Sequence, residues 1–256
     1  SIRFGLSDCN NLYFSLEWTY FYFVIMKFSI VIPVFNESKN LPLLISQIYK
    51  ALKKHTFELI IIDDNSSDGT FKILNETKKK NFRYFIRKKN RDLSRSCVLG
   101  FNKAKYKNIL VMDGDLQHQP KDIKKLLKIF QLKKAHIVIG SRELFTRKKH
   151  NLSFMRLSAS RILIFIVNIL LGNKTSDPMS GFFIFKKEIF IKNKYKLFNK
   201  GYKILMDLIY LDEKYQKIYD VKINFANRKK GESKMNMKIL LSLIYMILYK
   251  LYAKIL

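Results

Sequence analysis

The first part of the chain alternates continuous apolar runs with segments whose apolar residues recur every three or four positions. The apolar runs, which predict strands buried on both faces, lie at 28–35, 57–63, 82–87, 108–112 and 136–141. The segments with helical spacing lie at 40–54, 68–79, 93–105 and 120–133. This alternation predicts an α/β fold with a mostly parallel sheet flanked by helices.

Polar motifs lie where three of these strands end, which is the edge at which parallel sheets bind ligands. PVFNE (33–37) ends the first strand, DDNSSDGT (63–70) ends the second, and DGDLQHQP (113–120) follows the fourth. Asp68 precedes a predicted helix, so we expect it to be an N-cap. Asp63 ends an apolar strand with no cation nearby in the sequence, so contact with a ligand is favoured there.

Asp113 and Asp115 are separated by one residue at the end of the fourth predicted strand. Carboxylates at such a strand end can hold Mg²⁺ or Mn²⁺, which keep coordination sites open for the phosphates of a substrate. A plain acidic turn is the alternative, because Asp-x-Asp alone is a weak motif. The metal interpretation therefore depends on the other motifs of the chain.

Lys and Arg number 49 against 20 acidic residues, which gives a net charge of +29. This charge favours an anionic partner, namely nucleic acid, anionic lipid or a phosphorylated substrate. Part of the excess reflects a composition rich in Lys, Ile and Asn, and the basic residues are spread along the chain without an RNA-binding signature, so no nucleic-acid partner is predicted. Cys9 and Cys97 have neither metal nor redox spacing and predict a reducing compartment.

Residues 1–25 do not fit the pattern that follows them. The apolar part, from Trp18 to Met26, is too short for a membrane span, and no signal-peptide cleavage site follows it. We expect Met26 to be the natural start and residues 1–25 to be an extension of doubtful status. A membrane-touching tail is the alternative.

In this order and spacing, the three strand-end motifs resemble those of the family 2 inverting glycosyltransferases, which have the GT-A fold. Later segments resemble the dolichol-phosphate (polyprenyl-phosphate) mannosyltransferase group of that family: GSR (140–142), DPMSGFFIFKK (177–187), GYKILMDL (201–208) and RKKGESK (228–234). The resemblance covers about Lys27 to Leu256. It implies a Rossmann-like, mixed and mostly parallel sheet, with the glycosyltransferase domain at 26–236.

The resemblance also implies roles for the residues that match its motifs. Contact with the nucleotide base and ribose is implied for Pro33, Phe35, Glu37 and Asp63. Contact with the diphosphate and with a Mg²⁺ or Mn²⁺ cofactor is implied for Asp113, Asp115 and Gln117. Neutralisation of phosphate charge is implied for Arg142 and Arg228, and more weakly for Lys203 and Lys234. Asp115, Arg142 and Arg228 are therefore the predicted catalytic residues, and a guanidinium suits phosphate because its planar fork can bond two oxygens at once.

One segment departs from the family pattern. The family often has a Gly-rich turn before the helix that leads to Asp-x-Asp, and this chain has RDLSRSC (91–97) in that place. Ser94 or Asp92 is predicted to cap the helix instead. The contacts with the donor are left open there, and so is the choice between guanine and uracil.

Two further segments predict contact with a membrane surface. In 152–171 the polar residues other than Ser158 fall within about 140° of a helix, which predicts an interfacial helix, with a buried core helix as the alternative. The resemblance implies that Arg156 and Ser160 bind the phosphate of a lipid acceptor. In 237–256 an uncharged stretch of 11 residues makes about 17 Å of helix, so a basic amphipathic helix is predicted to lie on the bilayer. We expect attachment through these segments or a membrane subunit, at the cytoplasmic face, as a peripheral or monotopic protein.

The predicted activity is transfer of mannose or glucose from a GDP- or UDP-linked donor to a polyprenyl or dolichyl phosphate, with inversion. A phosphate monoester has a second pKa of about 6, so this acceptor is largely dianionic and needs no general base. One alternative is a family 2 enzyme that glycosylates a polysaccharide or a protein-linked glycan, with Asp177 as a candidate base. A basic nucleic-acid-binding protein and a non-catalytic scaffold are the others.

Overall fold

Seven strands form one sheet in the part of the chain that the structure, a computed structural model, describes: residues 26–88, 90–142, 164–165, 167–169, 172–198, 201, 204–210, 216–226 and 245. The strands are β1 (Phe28–Val34), β2 (Phe57–Asp63), β3 (Phe82–Ile86), β4 (Asn108–Val111), β5 (Ile137–Arg142), β6 (Phe183–Lys186) and β7 (Ile218–Ile223). Their order is β3-β2-β1-β4-β6-β5-β7. Neighbours are parallel except where β6 pairs with β4 and β5. The predicted mixed, mostly parallel sheet is confirmed.

Helices cover both faces of this sheet. Those formed by the described residues are α1 (Leu41–Ala51), α2 (Thr70–Glu76), α3 (Leu93–Lys103), α4 (Ile123–Leu132), α5 (Lys187–Asn193) and α6 (Ile204–Ile209), with 3₁₀ turns at Pro120–Asp122 and Lys194–Lys196. Successive side chains of a strand point to opposite faces. Ile30 of β1 accordingly lies in the same apolar cluster as Leu44 of α1, whereas Val31 lies in the cluster that contains Phe101 of α3. A sheet covered in this way exposes functional groups mainly at its ends.

The strands and helices predicted for the first part of the chain are confirmed, with ends that differ by a few residues. The apolar pattern did not predict β6, α5, α6 or β7. β7 lies at the edge of the sheet, and Ile223 is its one buried residue. An edge strand tolerates charged side chains such as Asp220 and Lys222, which remove the apolar run that marks a central strand.

Two predictions of helix caps have different outcomes. Of the two predicted caps, Asp92 and Ser94, Asp92 is the N-cap of α3, and its Oδ1 accepts a hydrogen bond from the N–H of Arg95 at 3.0 Å. The prediction for Asp68 is wrong by one position, because Gly69 is the N-cap of α2. Asp68 lies just before it and still accepts from the N–H of Thr70 at 3.1 Å. Burial alone would raise the pKa of Asp68, but hydrogen bonds to its carboxylate outweigh burial and lower the pKa to about 2.

Part of the predicted interfacial helix at 152–171 can be described. Residues 164–165 and 167–169 are helical. Ile164 and Val167 are buried in the core, whereas Phe165 and Ile169 are each 64% exposed. This helical turn therefore packs one side on the protein and presents two large apolar side chains on the other.

The remaining residues of 152–171 lie outside the described residues, as do residues 1–25 and all of 237–256 except Tyr245. The predictions for those segments stay predictions. Within the described ranges, no helix has both the length and the apolar character that a membrane span requires.

Candidate functional site

The chain turns sharply after β4, and the turn brings Asp113 and Asp115 to one cleft. The side chain of Asp113 is 36% exposed. Asp115 is 7% exposed, and its Oδ1 accepts a hydrogen bond from the N–H of Gln117 at 3.1 Å. Leu116 has a φ of 63°, a left-handed conformation that is uncommon for a bulky residue and persists only where the surroundings hold it. The turn therefore fixes the backbone positions from which the two carboxylates project.

The cleft has a volume of about 200 Å³ and lies at the carboxyl ends of β1, β2 and β4. Its walls include Pro33, Phe35 and Glu37 from the first motif, Asp64 from the second, and Asp113 and Asp115 from the third. The structure thus brings three of the four residues predicted for the nucleotide together with two of the three predicted for the metal; Asp63 and Gln117 do not line the cleft. Parallel strands explain this convergence, because their carboxyl ends meet at one edge of the sheet.

Asp64, rather than the predicted Asp63, lines the cleft. Asp63 is 1% exposed, and its Oδ1 accepts from the hydroxyl of Ser66 at 2.5 Å. Asp64 lies 2.6 Å from Nη2 of Arg87 and accepts from the N–H of Asp92 at 2.7 Å. Burial raises the pKa of Asp64 in spite of both contacts. Contact between Asp63 and a donor stays a prediction, and Asp64 is the neighbouring carboxylate that the cleft reaches.

Side-chain hydrogen bonds hold together the loops that follow β1 and β2. The N–H of Asn36 donates to the hydroxyl of Ser66 at 2.8 Å, and Oδ1 of Asn36 accepts from the N–H of Ser67 at 2.9 Å. Oδ2 of Asp68 accepts from the N–H of Ser38 at 2.9 Å. Because these loops flank the cleft, the bonds fix the wall predicted to contact the base and ribose.

Arg142, at the end of β5, forms a two-point ion pair with Asp177. Its Nε lies 2.7 Å from Oδ2 and its Nη2 lies 2.8 Å from Oδ1 of an Asp177 that is wholly buried. The guanidinium also lies 5.5 Å from the ring centroid of Phe225. Burial alone would lower the pKa of Arg142, but the charge and hydrogen bonds of Asp177 raise it. Asp177 is therefore paired with Arg142, and the alternative in which it serves as a catalytic base stays an untested prediction.

The segment that carries Asp177 is anchored to β5 and β7. Oδ1 of Asp220 accepts from the hydroxyl of Thr175 at 2.6 Å, and Oδ2 accepts from the N–H of Ser176 at 2.7 Å. The hydroxyls of Ser141 and Ser176 lie 2.6 Å apart. These contacts fix the position of the loop that carries Asp177, which the apolar pattern of the sequence did not predict.

His118 lies against Asp113, behind the residues that line the cleft, and has no separate prediction from the sequence. Its ring is stacked on Phe182 at 5.1 Å and meets Phe225 edge-on at 5.2 Å. Nε2 of His118 lies 3.3 Å from Oδ2 of Asp113, and the side chain is 2% exposed. A buried imidazole held between two aromatic rings therefore orients Asp113. Its position in the DGDLQHQP motif, five residues after Asp113, is the signal that could have marked it.

Gly181 is the other residue that sets the position of Asp113. A Cβ atom added at Gly181 would lie 2.2 Å from Oδ2 of Asp113, well inside contact distance. The sequence marked DPMSGFFIFKK as a motif but assigned no role to its glycine. The structure shows that only glycine leaves room for the Asp113 carboxylate as it stands.

We expect Gly181→Ala to displace the carboxylate of Asp113, because a side-chain rotation relieves the overlap at less cost than a backbone shift. If Asp113 holds a divalent cation, activity should fall about 10- to 100-fold, as it does when groups that orient metal ligands are lost, while thermal unfolding changes little. Initial rates across a Mn²⁺ series measure the loss. If Gly181 acts through Asp113, adding Gly181→Ala to Asp113→Ala causes no further loss; additive losses would contradict this account.

Gln117, the predicted third contact with the metal, is half-buried and tied to the chain after β7. Its side-chain Nε2 donates to the backbone carbonyl of Ala226 at 3.4 Å, and the backbone carbonyl of Gln117 accepts from the N–H of Ala226 at 2.9 Å. Among the described residues there is no group of three or more His, Cys, Asp or Glu side chains that could hold a metal ion. Two carboxylates that face a cleft still fit Mg²⁺ or Mn²⁺, which combine one or two carboxylates with substrate phosphates.

Comparison with known proteins decides the family. The family model described as Glycosyl transferase family 2 matches residues 29–193 of this chain. The chain belongs to glycosyltransferase family 2. It is 37% identical over 216 residues to a dolichol-phosphate mannosyltransferase of Pyrococcus furiosus, a match that covers 83% of this chain and 60% of that protein. It is 30% identical to a dolichol-phosphate mannosyltransferase of Mycosarcoma maydis, over 83% of this chain and 74% of that protein.

A solved structure shares the fold of this family 2 chain. Glucosyl-3-phosphoglycerate synthase from Mycobacterium tuberculosis, in complex with Mn²⁺, uridine diphosphate and glucosyl-3-phosphoglycerate, matches with a TM-score of 0.65 at 17% identity. The match covers 89% of this chain and 79% of the other. The likeness establishes the GT-A fold that the motifs implied.

Five of the residues singled out for this family 2 chain lie outside the described residues: Arg156, Ser160, Lys203, Arg228 and Lys234. Their predicted contacts with phosphate groups stay predictions.

Proposed function

We propose that this chain transfers a hexose, mannose or glucose, from a GDP- or UDP-linked donor to a polyprenyl or dolichyl phosphate. The observation that carries the proposal is the single cleft shared by Asp113, Asp115, Pro33, Phe35 and Glu37. Both relatives cited above are named dolichol-phosphate mannosyltransferases, which supports a lipid phosphate as the acceptor. The chain spans 60% of the length of the Pyrococcus furiosus protein, so the activity of that whole protein is part of the proposal.

On the donor side, Asp113 and Asp115 would hold Mg²⁺ or Mn²⁺, with Gln117 as a further contact. A bound divalent cation neutralises charge on the departing diphosphate. The M. tuberculosis neighbour was crystallised with Mn²⁺ and uridine diphosphate, which supports a divalent cation in a fold of this kind. His118 and Gly181 lie against Asp113 and keep its carboxylate directed into the cleft.

Arg142 is proposed to neutralise phosphate charge from the β5 side. Asp177 takes two of the five N–H donors that a guanidinium carries, so pairing with Asp177 and binding to a phosphate are compatible. The ion pair also fixes the plane of the guanidinium, which reduces the entropy lost when a phosphate binds. Arg228, Lys203 and Lys234 are proposed as further phosphate contacts.

On the acceptor side, the phosphate oxygen attacks the anomeric carbon from the face opposite the departing diphosphate, and this single displacement inverts the centre. The acceptor has a second pKa of about 6, so at neutral pH it needs no base. A glycan hydroxyl would need one, and Asp177 is already paired with Arg142. Arg156 and Ser160 are proposed to position the acceptor phosphate.

A membrane surface is the proposed location, at its cytoplasmic face and with peripheral or monotopic attachment. The exposed Phe165 and Ile169 support this, because apolar side chains on one side of a helix favour the interface. We propose a glycosyltransferase domain at 26–236 and a membrane-surface helix at 237–256, with a membrane subunit as a further means of attachment.

Incubation with a short polyprenyl phosphate, Mg²⁺ or Mn²⁺ and a panel of labelled sugar nucleotides tests the proposal. The panel contains GDP-mannose, UDP-glucose and their base-exchanged counterparts. We expect label in the lipid fraction with at least one donor, and its loss when EDTA removes the cation. Absence of label in the lipid fraction with every donor would overturn the proposal.

A further inference from the structure

Arg91 lies just before α3 and lines the cleft. The residue is exposed, yet its guanidinium carbon lies 4.4 Å from the ring centroid of Phe35, and both residues line the cleft. Glu37, Asp64 and the Asp-x-Asp carboxylates line the same cleft, and Arg91 is the one cation among its described lining residues. A planar cation therefore covers the aromatic face at the end of β1.

The backbone on each side of Arg91 is pinned, so the side chain projects from a fixed point. The carbonyl of Asn90 accepts a hydrogen bond from Nη2 of Arg87, and the N–H of Asp92 donates to Oδ2 of Asp64 at 2.7 Å. Arg87 and Asp64 themselves form an ion pair at 2.6 Å. Asp92 also accepts from the N–H of Gly201 at 2.8 Å, which holds the loop from its other side.

We propose that Arg91 is a donor-binding residue that stacks on the nucleobase, which then lies between its guanidinium and Phe35. This inference rests on the proposed function. Stacked planar groups lie about 3.5 Å apart, so a base between the two needs a separation of about 7 Å and the guanidinium must move out by about 3 Å. An exposed arginine side chain on a pinned backbone can make this movement by changing rotamers.

This arrangement predicts a contribution to affinity rather than to the choice of base. Stacking tolerates every base, because each has a π-face, and a guanidinium stacks well on such a face. The diphosphate, in contrast, is directed to the Asp113 and Asp115 end of the cleft. Arg91 therefore acts on the nucleoside half of the donor.

Arg91→Ala is expected to weaken binding of GDP or UDP in the presence of Mn²⁺ by about 5- to 30-fold. Arg91→Lys should recover less than half of the lost affinity, because an ammonium keeps the charge and lacks the planar face. Titration calorimetry measures the dissociation constants. Inhibition by the free nucleoside should weaken as well, whereas inhibition by Mn²⁺-pyrophosphate should change by less than about twofold. Arg95→Ala is the matched control, since Arg95 is exposed, carries the same charge and does not line the cleft.

The outcomes separate this inference from the proposed function. If wild-type protein labels lipid phosphate while Arg91→Ala binds nucleoside diphosphates as wild type does, the inference alone is wrong. A loss that is equal for pyrophosphate would make Arg91 a phosphate contact, and a loss that is equal in Arg95→Ala would reduce the effect to net charge; each result would overturn stacking. If the wild-type protein binds no nucleoside diphosphate at all, both proposals fail.

Discussion

Asp115→Asn is expected to lower turnover by about 10³-fold or more while the protein stays folded. Asparagine has the size of aspartate, and its carbonyl can still accept the hydrogen bond that the N–H of Gln117 donates at 3.1 Å. It cannot supply the negative charge that holds a divalent cation against a diphosphate. The measurement is label transfer to polyprenyl phosphate across a Mn²⁺ series, together with a thermal unfolding curve.

Glu188→Gln is the matched control for Asp115→Asn. It removes one carboxylate charge from a side chain that is 58% exposed and lies 3.9 Å from Lys186, and that does not line the cleft. We expect wild-type turnover and wild-type dependence on Mn²⁺. An Asp115→Asn variant that keeps more than about a tenth of wild-type turnover would remove Asp115 from the proposed metal site, because loss of a single stabilising group commonly costs 10²-fold or more.

The donor side of this site could be predicted because strand ends are marked in the sequence. PVFNE and DGDLQHQP each follow an apolar run, and parallel strands bring such ends to one edge. Phe35 and Asp115 can therefore be placed near each other without knowledge of any contact between distant segments. Local sequence likewise narrowed the cap of α3 to Asp92 or Ser94, since a cap is a contact over a few residues, and the structure shows Asp92.

The choice between Asp63 and Asp64 depends on geometry that the sequence does not contain. Successive side chains point to opposite faces of a strand, so a shift of one residue in the strand end decides which carboxylate faces a ligand. Asp63 is the last residue of β2 and turns to Ser66, whereas Asp64 begins the loop and faces the cleft. The sequence alone therefore cannot tell which of two adjacent acidic residues faces the ligand.

Contacts between distant segments were the least predictable part of the site. Gly181 lies against Asp113, and Phe182 lies against His118, although more than sixty residues separate the members of each pair in sequence. Neither contact follows a helical or strand period. Both depend on β6, whose antiparallel position between β4 and β5 the apolar pattern did not predict. The same limit explains why Arg142 and Asp177 received separate predicted roles although they form one ion pair.

Arg142→Met is expected to lower both stability and turnover. It leaves Asp177 buried without its cation, and removal of one partner from a buried pair costs about 3–5 kcal/mol of unfolding free energy. For a chain of this size the corresponding fall in melting temperature is about 10 °C or more. Turnover should fall by about 10²-fold beyond what the unfolded fraction explains, because a charge that neutralises phosphate is lost.

The double variant Arg142→Met with Asp177→Leu separates the structural role of Arg142 from its proposed chemical role. Replacing both members of a buried ion pair by apolar residues of similar volume is often neutral for stability, so the melting temperature should recover most of the loss. Turnover should not recover with it, because the apolar pair cannot neutralise phosphate charge. Calorimetric unfolding and label transfer, measured on the same preparations, give the two quantities. Recovery of turnover in step with stability would limit Arg142 to holding the Asp177 segment and remove it from the phosphate site.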